Sequence, residues 1–157
     1  MGLGAGFLLF SLFVGLGSKA EQLLSFNHKK HLEQGIECIA CHSHFKEQTF
    51  SGIPKVATCL ECHKDPISQN PEEEKIRQIH KKGEEIHWKR IYQQPDHVFF
   101  SHRRHVVLGK MQCETCHGSI AQSEKPPSKP WVKMTMGWCM DCHKKTKASN
   151  DCLACHV

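Results

Sequence analysis

At 157 residues the chain has room for one compact domain or two small modules. Ten cysteines and thirteen histidines accompany a 39% hydrophobic content, and no stretch past residue 20 keeps a long amphipathic period, which excludes aliphatic packing as the sole support of the fold. The formal charge of +5 admits an anionic partner, nucleic acid or lipid, until the groups held by the cysteines and histidines are counted.

Met1 to Gly17 carries no charged residue, and Phe7-Leu8-Leu9-Phe10-Ser11-Leu12-Phe13-Val14 forms its apolar centre. As a helix rising about 1.5 Å per residue it reaches about 25 Å, slightly short of a hydrocarbon core of about 30 Å. Ser18-Lys19-Ala20 before Glu21 has the small-x-small form of a signal-peptidase site, but no basic residue precedes the apolar run. The expectation is a retained membrane anchor over residues 1–20, with a cleaved signal as the alternative. Either sends the remaining chain to the extracytoplasmic side, facing the periplasm.

Beyond the anchor the chain repeats itself. Residues 21–70 hold Phe26-Asn27-His28-Lys29-Lys30-His31, then Cys38-x-x-Cys41-His42 and Cys59-x-x-Cys62-His63. Residues 97–157 hold Phe100-Ser101-His102-Arg103-Arg104-His105, then Cys113-x-x-Cys116-His117 and Cys139-x-x-Cys142-His143, with Cys152-x-x-Cys155-His156 appended. The histidine pair moves by 74 positions and the first cysteine string by 75, so a module has been duplicated. Residues 71–96 link the copies. Asn70-Pro71-Glu72-Glu73-Glu74 reads as a helix start, with an Asn cap, Pro at the first position and acids near the positive end of the dipole; Gly83 reads as its stop. Ile86-His87-Trp88-Lys89-Arg90-Ile91-Tyr92 carries apolar surface suited to a cofactor edge or a partner. Pro126, Pro127 and Pro130 make Ser119 to Pro130 a loop, and no strand-length run alternates, so the fold class is mainly loops with short α-helices and little or no sheet.

Every cysteine lies in a Cys-x-x-Cys-His string, which leaves none for a disulfide or a free thiol. Cysteines at i and i+3 share one side of a helical turn, and a histidine at i+4 projects toward the same face. That geometry suits two thioether bonds to a porphyrin with the histidine as an axial iron ligand. Zinc needs paired half-sites and leaves one of the five strings unpartnered, and a redox dithiol needs a βαβ context that is absent. Five covalent c-type haems are therefore expected, each with one proximal ligand from His42, His63, His117, His143 and His156. With two propionates against one net positive iron-porphyrin centre each, five ferric haems add about −5, which offsets the basic chain and removes the case for nucleic acid.

Eight histidines remain: His28, His31, His44, His80, His87, His97, His102 and His105. The recurrence of Phe-x-His-x-x-His in register with the cysteine strings makes His28, His31, His102 and His105 the expected distal ligands. For the fifth iron, His97, His87 and a methionine ahead of Cys139, Met136 or Met134, stay open, the thioether being the choice that raises the potential. Surface roles are expected for His44 and His80. Irons with protein ligands on both faces exchange electrons and offer no open position to substrate, so no catalytic site of its own is expected.

The Phe-x-His-x-x-His and Cys-x-x-Cys-His pattern resembles the class III cytochromes c and the small cytochrome c7 modules. More narrowly, Trp88 to Asp96 leading into Phe99-Phe100-Ser101-His102-Arg103-Arg104-His105-Val106, together with Met136-Gly137-Trp138-Cys139-Met140-Asp141-Cys142-His143, is similar to the pentahaem cytochrome subunit of alternative complex III and of menaquinone reductase complexes. The sequence departs from that pattern at Tyr92, where a histidine is often found, and at His97, where an aromatic is usual. The resemblance implies a relay subunit that docks on an iron-sulfur and molybdopterin-like protein beside a quinone-binding membrane subunit, with another cytochrome c as electron donor or acceptor. A stand-alone membrane-tethered quinol dehydrogenase, an enzyme with one five-coordinate haem and a zinc protein are the competing readings.

Overall fold

The computed structural model describes residues 22–156; the anchor or signal expected over residues 1–20 lies outside them. Seven short α-helices follow in chain order: α1 His28–Glu33, α2 Cys38–Cys41, α3 Val56–His63, α4 Pro71–Lys81, α5 Glu114–His117, α6 Met136–Thr146 and α7 Cys152–Cys155. Two 3-10 turns, Ser43–Lys46 and Ile120–Gln122, and a wide π-type turn at Arg103–Leu108 complete the regular structure. The described residues contain no sheet; an isolated antiparallel bridge joins Val98 to His156. None of the helices is long and apolar enough to cross a membrane among the described residues.

Helix ends follow the local chemistry. Asn27, Asn70, Thr135 and Asp151 each accept a hydrogen bond from a backbone N–H in the first turn of α1, α4, α6 and α7. α4 has Pro71 at its first position and Glu72, Glu73 and Glu74 in its first turn, and Gly83 with φ +70° follows its end. The N-terminus of α3 lacks a cap of its own and borrows one: Glu85 accepts from the Val56 N–H at 3.0 Å.

Aliphatic packing is confined to the first half. Leu24, Val56 and Ile86 are buried together, with Cys59, Leu60, Ile76, Ile79 and Trp88 against them, so the N-terminal segment, α3, α4 and the residues after α4 close one small core. Trp88 donates from Nε1 to the Pro54 carbonyl at 2.9 Å. Ile86 and Trp88, whose apolar surface suited a cofactor edge or a partner, pack in this core beside Cys59 of the second cysteine string. In residues 97–156 the buried group is polar, Ser101, and no hydrophobic side chain is buried among them. With three buried hydrophobic side chains among the described residues, aliphatic packing there supplies only a small core.

Two reciprocal contacts join the copies. α1 of the first packs against the 3-10 turn Ile120–Gln122 of the second, and the turn Ser43–Lys46 of the first packs against the π-type turn of the second. The Ser119 to Pro130 loop is therefore docked, with Lys29 N donating to Ser123 O at 3.1 Å.

Candidate haem centres

Each of the five strings forms a short helical turn that brings its two thiols and its histidine to one side. In three of them the histidine N–H closes back on the first cysteine carbonyl: His42 on Cys38 and His117 on Cys113 at 2.9 Å, His156 on Cys152 at 2.8 Å. None of the ten cysteines is paired in a disulfide.

Four of the remaining histidines come to meet these turns. Ring centroids are 6.0 Å apart for His31 and His63, 6.4 Å for His102 and His117, 5.9 Å for His105 and His143, and 5.7 Å for His97 and His156. In the last three the planes lie within 8°, 27° and 16° of parallel. A metal ion with an imidazole nitrogen at about 2 Å on each side holds ring centroids at about 6 Å, so each gap fits one six-coordinate iron. His28 lies within charge range of His42: burial first, then His42 and His31, bring its pKa down to about 4. Burial likewise lowers His102, with His105 and His42 adding to it, and His117, with His102 and His42 adding to it. Neutral imidazole is the form that binds a metal.

The ring nitrogens are oriented from behind. Nδ1 of His31, His42, His102, His105 and His143 lies 2.7–3.0 Å from the carbonyls of Asn27, Gly52, Thr49, Ser101 and Ser149. A carbonyl only accepts, so each Nδ1 carries the proton and each Nε2 keeps its lone pair for iron. Ser123 Oγ lies 3.1 Å from His28 Nδ1 and donates its one proton to Ile120 O, so it also accepts from the histidine. Phe26 is wedged between His28 and His31 at centroid distances of 4.7 and 4.4 Å, and Phe100 between His102 and His105 at 4.9 and 4.7 Å. The phenylalanine of the repeated motif therefore splays its two histidines toward different partners. His63 differs: its Nδ1 is buried without a hydrogen-bond partner and faces Glu73 Oε2 at 3.6 Å.

Other candidates lie elsewhere. His44, His80 and His87 are exposed and enter no such ring pair among the described residues. Met136 is 67% exposed at the start of α6, and the Met134 sulfur accepts from Gln94 Nε2 at 3.5 Å. What brings His97 to His156 is the Val98 bridge, with Phe99 N donating to Cys155 O at 2.8 Å. Tyr92 stands edge-on to His117 at 4.6 Å and accepts from Trp131 N at 2.7 Å, so it walls a site instead of ligating one. Ser123, Thr49 and Glu73 were not singled out by sequence reading, since each acts through a contact distant in sequence or hidden inside a helix turn.

Neighbouring thiols show which strings lie beside each other. Burial and then Cys41 push Cys59 up to about 11, and burial, Glu61, Cys38 and Cys62 raise Cys41. Burial and Cys38 raise Cys113, burial with Cys142 and Cys139 raises Cys116, and burial with Cys155 raises Cys139. Cys59 thus neighbours Cys41, Cys113 neighbours Cys38, Cys116 neighbours Cys139 and Cys142, and Cys139 neighbours Cys155, which sets the two duplicated first strings beside each other.

Residues 15–90 match the model of the class III cytochrome c family, and residues 98–157 match that of cytochrome c7 and related cytochromes c. A protein of Nitratidesulfovibrio vulgaris (strain Hildenborough), the multiheme cytochrome c subunit of a menaquinone reductase, is 36% identical over 166 residues, covering 90% of this chain and 79% of its own length. The chain belongs to this family of multihaem cytochromes c. Its cofactor is covalently bound c-type haem and its activity is electron transfer. Porphyrins tethered at these strings would supply apolar volume that side chains do not supply among the described residues of the second half.

Proposed function

We propose that this cytochrome carries five haems, all ligated by histidine on both faces, and serves as the electron-relay subunit of a membrane menaquinone-linked oxidoreductase. The observation that carries this reading is the set of histidine ring pairs 5.7–6.4 Å apart over four of the five strings. The proposed ligand pairs are His28 with His42, His31 with His63, His102 with His117, His105 with His143, and His97 with His156. Cys38, Cys41, Cys59, Cys62, Cys113, Cys116, Cys139, Cys142, Cys152 and Cys155 hold the thioethers. The 5.7 Å approach of the His97 ring to that of His156 favours His97 as the fifth distal ligand.

Haem held at these residues supplies one-electron chemistry. The chain's own groups set the conditions for it. Backbone carbonyls fix the imidazole tautomers, the phenylalanine wedges hold paired ligands apart, and histidine on both faces closes each iron to substrate. The adjacency of the strings supports a relay from haem to haem. The charge-free segment Met1 to Gly17 supports a membrane anchor and a periplasmic relay. The relative's name supports partner subunits in a menaquinone reductase complex; the resemblance noted above adds an iron-sulfur and molybdopterin-like subunit, a quinone-binding subunit and a second cytochrome c.

Detergent extraction of the native membrane protein tests this. The expected result is co-purification with larger subunits, an intact mass carrying five haems, and ferric spectra that are wholly low-spin. Titratable thiols, a high-spin component that binds cyanide, or recovery as a stable lone monomer would each overturn a stated part of it.

A further inference from the structure

The axial histidines other than His63 whose Nδ1 has a partner face a neutral oxygen, either a carbonyl or the Ser123 hydroxyl. Among the described residues His63 alone has a carboxylate there: Glu73 Oε2 at 3.6 Å from Nδ1, with both groups withdrawn from solvent. Glu73 sits in the first turn of α4, where acids usually face water, yet it is 7% exposed. It accepts from the Ile67 N–H at 2.9 Å, the Ser68 N–H at 3.3 Å and the Ser68 hydroxyl at 2.6 Å. Those three donors anchor the carboxylate beside the imidazole. Arg77, one turn along α4, brings Nη1 to 3.8 Å from the same Oε2, while its Nη2 pairs with Glu74 at 2.9 Å. The Arg77 Nη1 is itself buried without a hydrogen bond.

An anion behind a ligating imidazole increases the ring's electron donation to the metal and favours the more oxidised ion. Taking the haem assignment proposed above as its basis, we infer that Glu73 is a positioning residue for His63 that lowers the reduction potential of the haem at Cys59 and Cys62, with Arg77 as a partial counterweight. The geometry confines the effect to one site. It also predicts opposite signs for the two residues: neutralising Glu73 raises that potential, and neutralising Arg77 lowers it. A merely structural role for the triad gives shifts of the same sign.

The test uses the full-length, haem-loaded protein as wild type, Glu73→Gln and Arg77→Met. Potentiometric titration is followed haem by haem through paramagnetic NMR, with the relevant haem assigned by contacts of its thioether bridges to Cys59 and Cys62. The expected result is one component moved positive in Glu73→Gln and negative in Arg77→Met, with that haem's ferric signature altered and the others unmoved. Shifts of equal sign, shifts spread over several haems, or no shift in either variant overturns the inference. Should Glu73→Gln not accumulate with its haems, Arg77→Met alone decides, and the absence of a negative shift is a refutation. A wild-type mass one haem short, or no thioether at Cys59 and Cys62, would instead refute the haem assignment.

Discussion

Gly118 follows the proximal ligand His117 and takes φ +62° and ψ −154°, a region open almost only to glycine. A Cβ there would run into the Trp131 ring, which lies across it. Trp131 N in turn donates to the Tyr92 hydroxyl, and Tyr92 is set edge-on to His117, so glycine, tryptophan and tyrosine form one wall. Gly118→Ala is expected to cost about 1–3 kcal/mol from backbone strain alone. It should also displace Trp131, read as a lower thermal midpoint with an altered ferric spectrum of the haem at Cys113 and Cys116. An unchanged midpoint would show that the wall yields. The proposed iron ligands are legible in sequence because each proposed proximal histidine sits beside its own cysteines and the proposed distal pair recurs in register. Glu73 is not, because in sequence it is one of three acids suited to a helix N-terminus, and its inward turn depends on Ile67 and Ser68 folding back over it. The proposal of His97 over His87 and Met136 is equally hidden in sequence, since it depends on the bridge that carries His156 to Val98.

At the scale of elements, the duplication has been turned into an exchange. His28 opens α1 in the first copy, and its Nδ1 is held by Ser123 from the second; His102 adjoins the π-type turn in the second copy, and its Nδ1 is held by Thr49 O from the first. Each copy thus orients a distal ligand of the other, and neither is complete alone. The repeat is legible in sequence, but the docking of Ser119 to Pro130 is not, because proline content reports backbone freedom and says nothing about docking. Ser123→Ala removes the acceptor behind His28 and should cost about 0.5–1.5 kcal/mol, the net worth of one hydrogen bond. Its diagnostic effect lies across the module boundary: the haem at Cys38 and Cys41, in the first copy, should change its ferric signature, while the haem nearest Ser123 in sequence does not. A change confined to the second copy would contradict the exchange.

For the whole molecule, the uneven distribution of buried carbon gives the two halves different dependence on cofactor. The first half closes Leu24, Val56 and Ile86 over α3 and α4, and α4 adds its own caps and ion pairs, including Lys75 with Glu72 and Arg77 with Glu74. Such helices, at eight and eleven residues, are too short to persist without packing, but here they have some. The second half has α6 at eleven residues with no buried side chain, and its remaining turns are three to six residues long. Without porphyrin the second half has nothing to offset its chain entropy, about 1–2 kcal/mol per residue for the backbone. The apo-polypeptide, made in a host lacking haem attachment, is therefore expected to lose protection from hydrogen exchange throughout residues 97–156. Residual protection should be confined to α3 and α4. Ile86→Ala, worth about 2–5 kcal/mol in a well-packed site, should abolish that remnant in the apo-chain and leave the haem-loaded second half largely protected. Uniform protection of both halves in the apo-chain would mean that the polypeptide alone carries the fold, against the reading that tethered haem is its principal core.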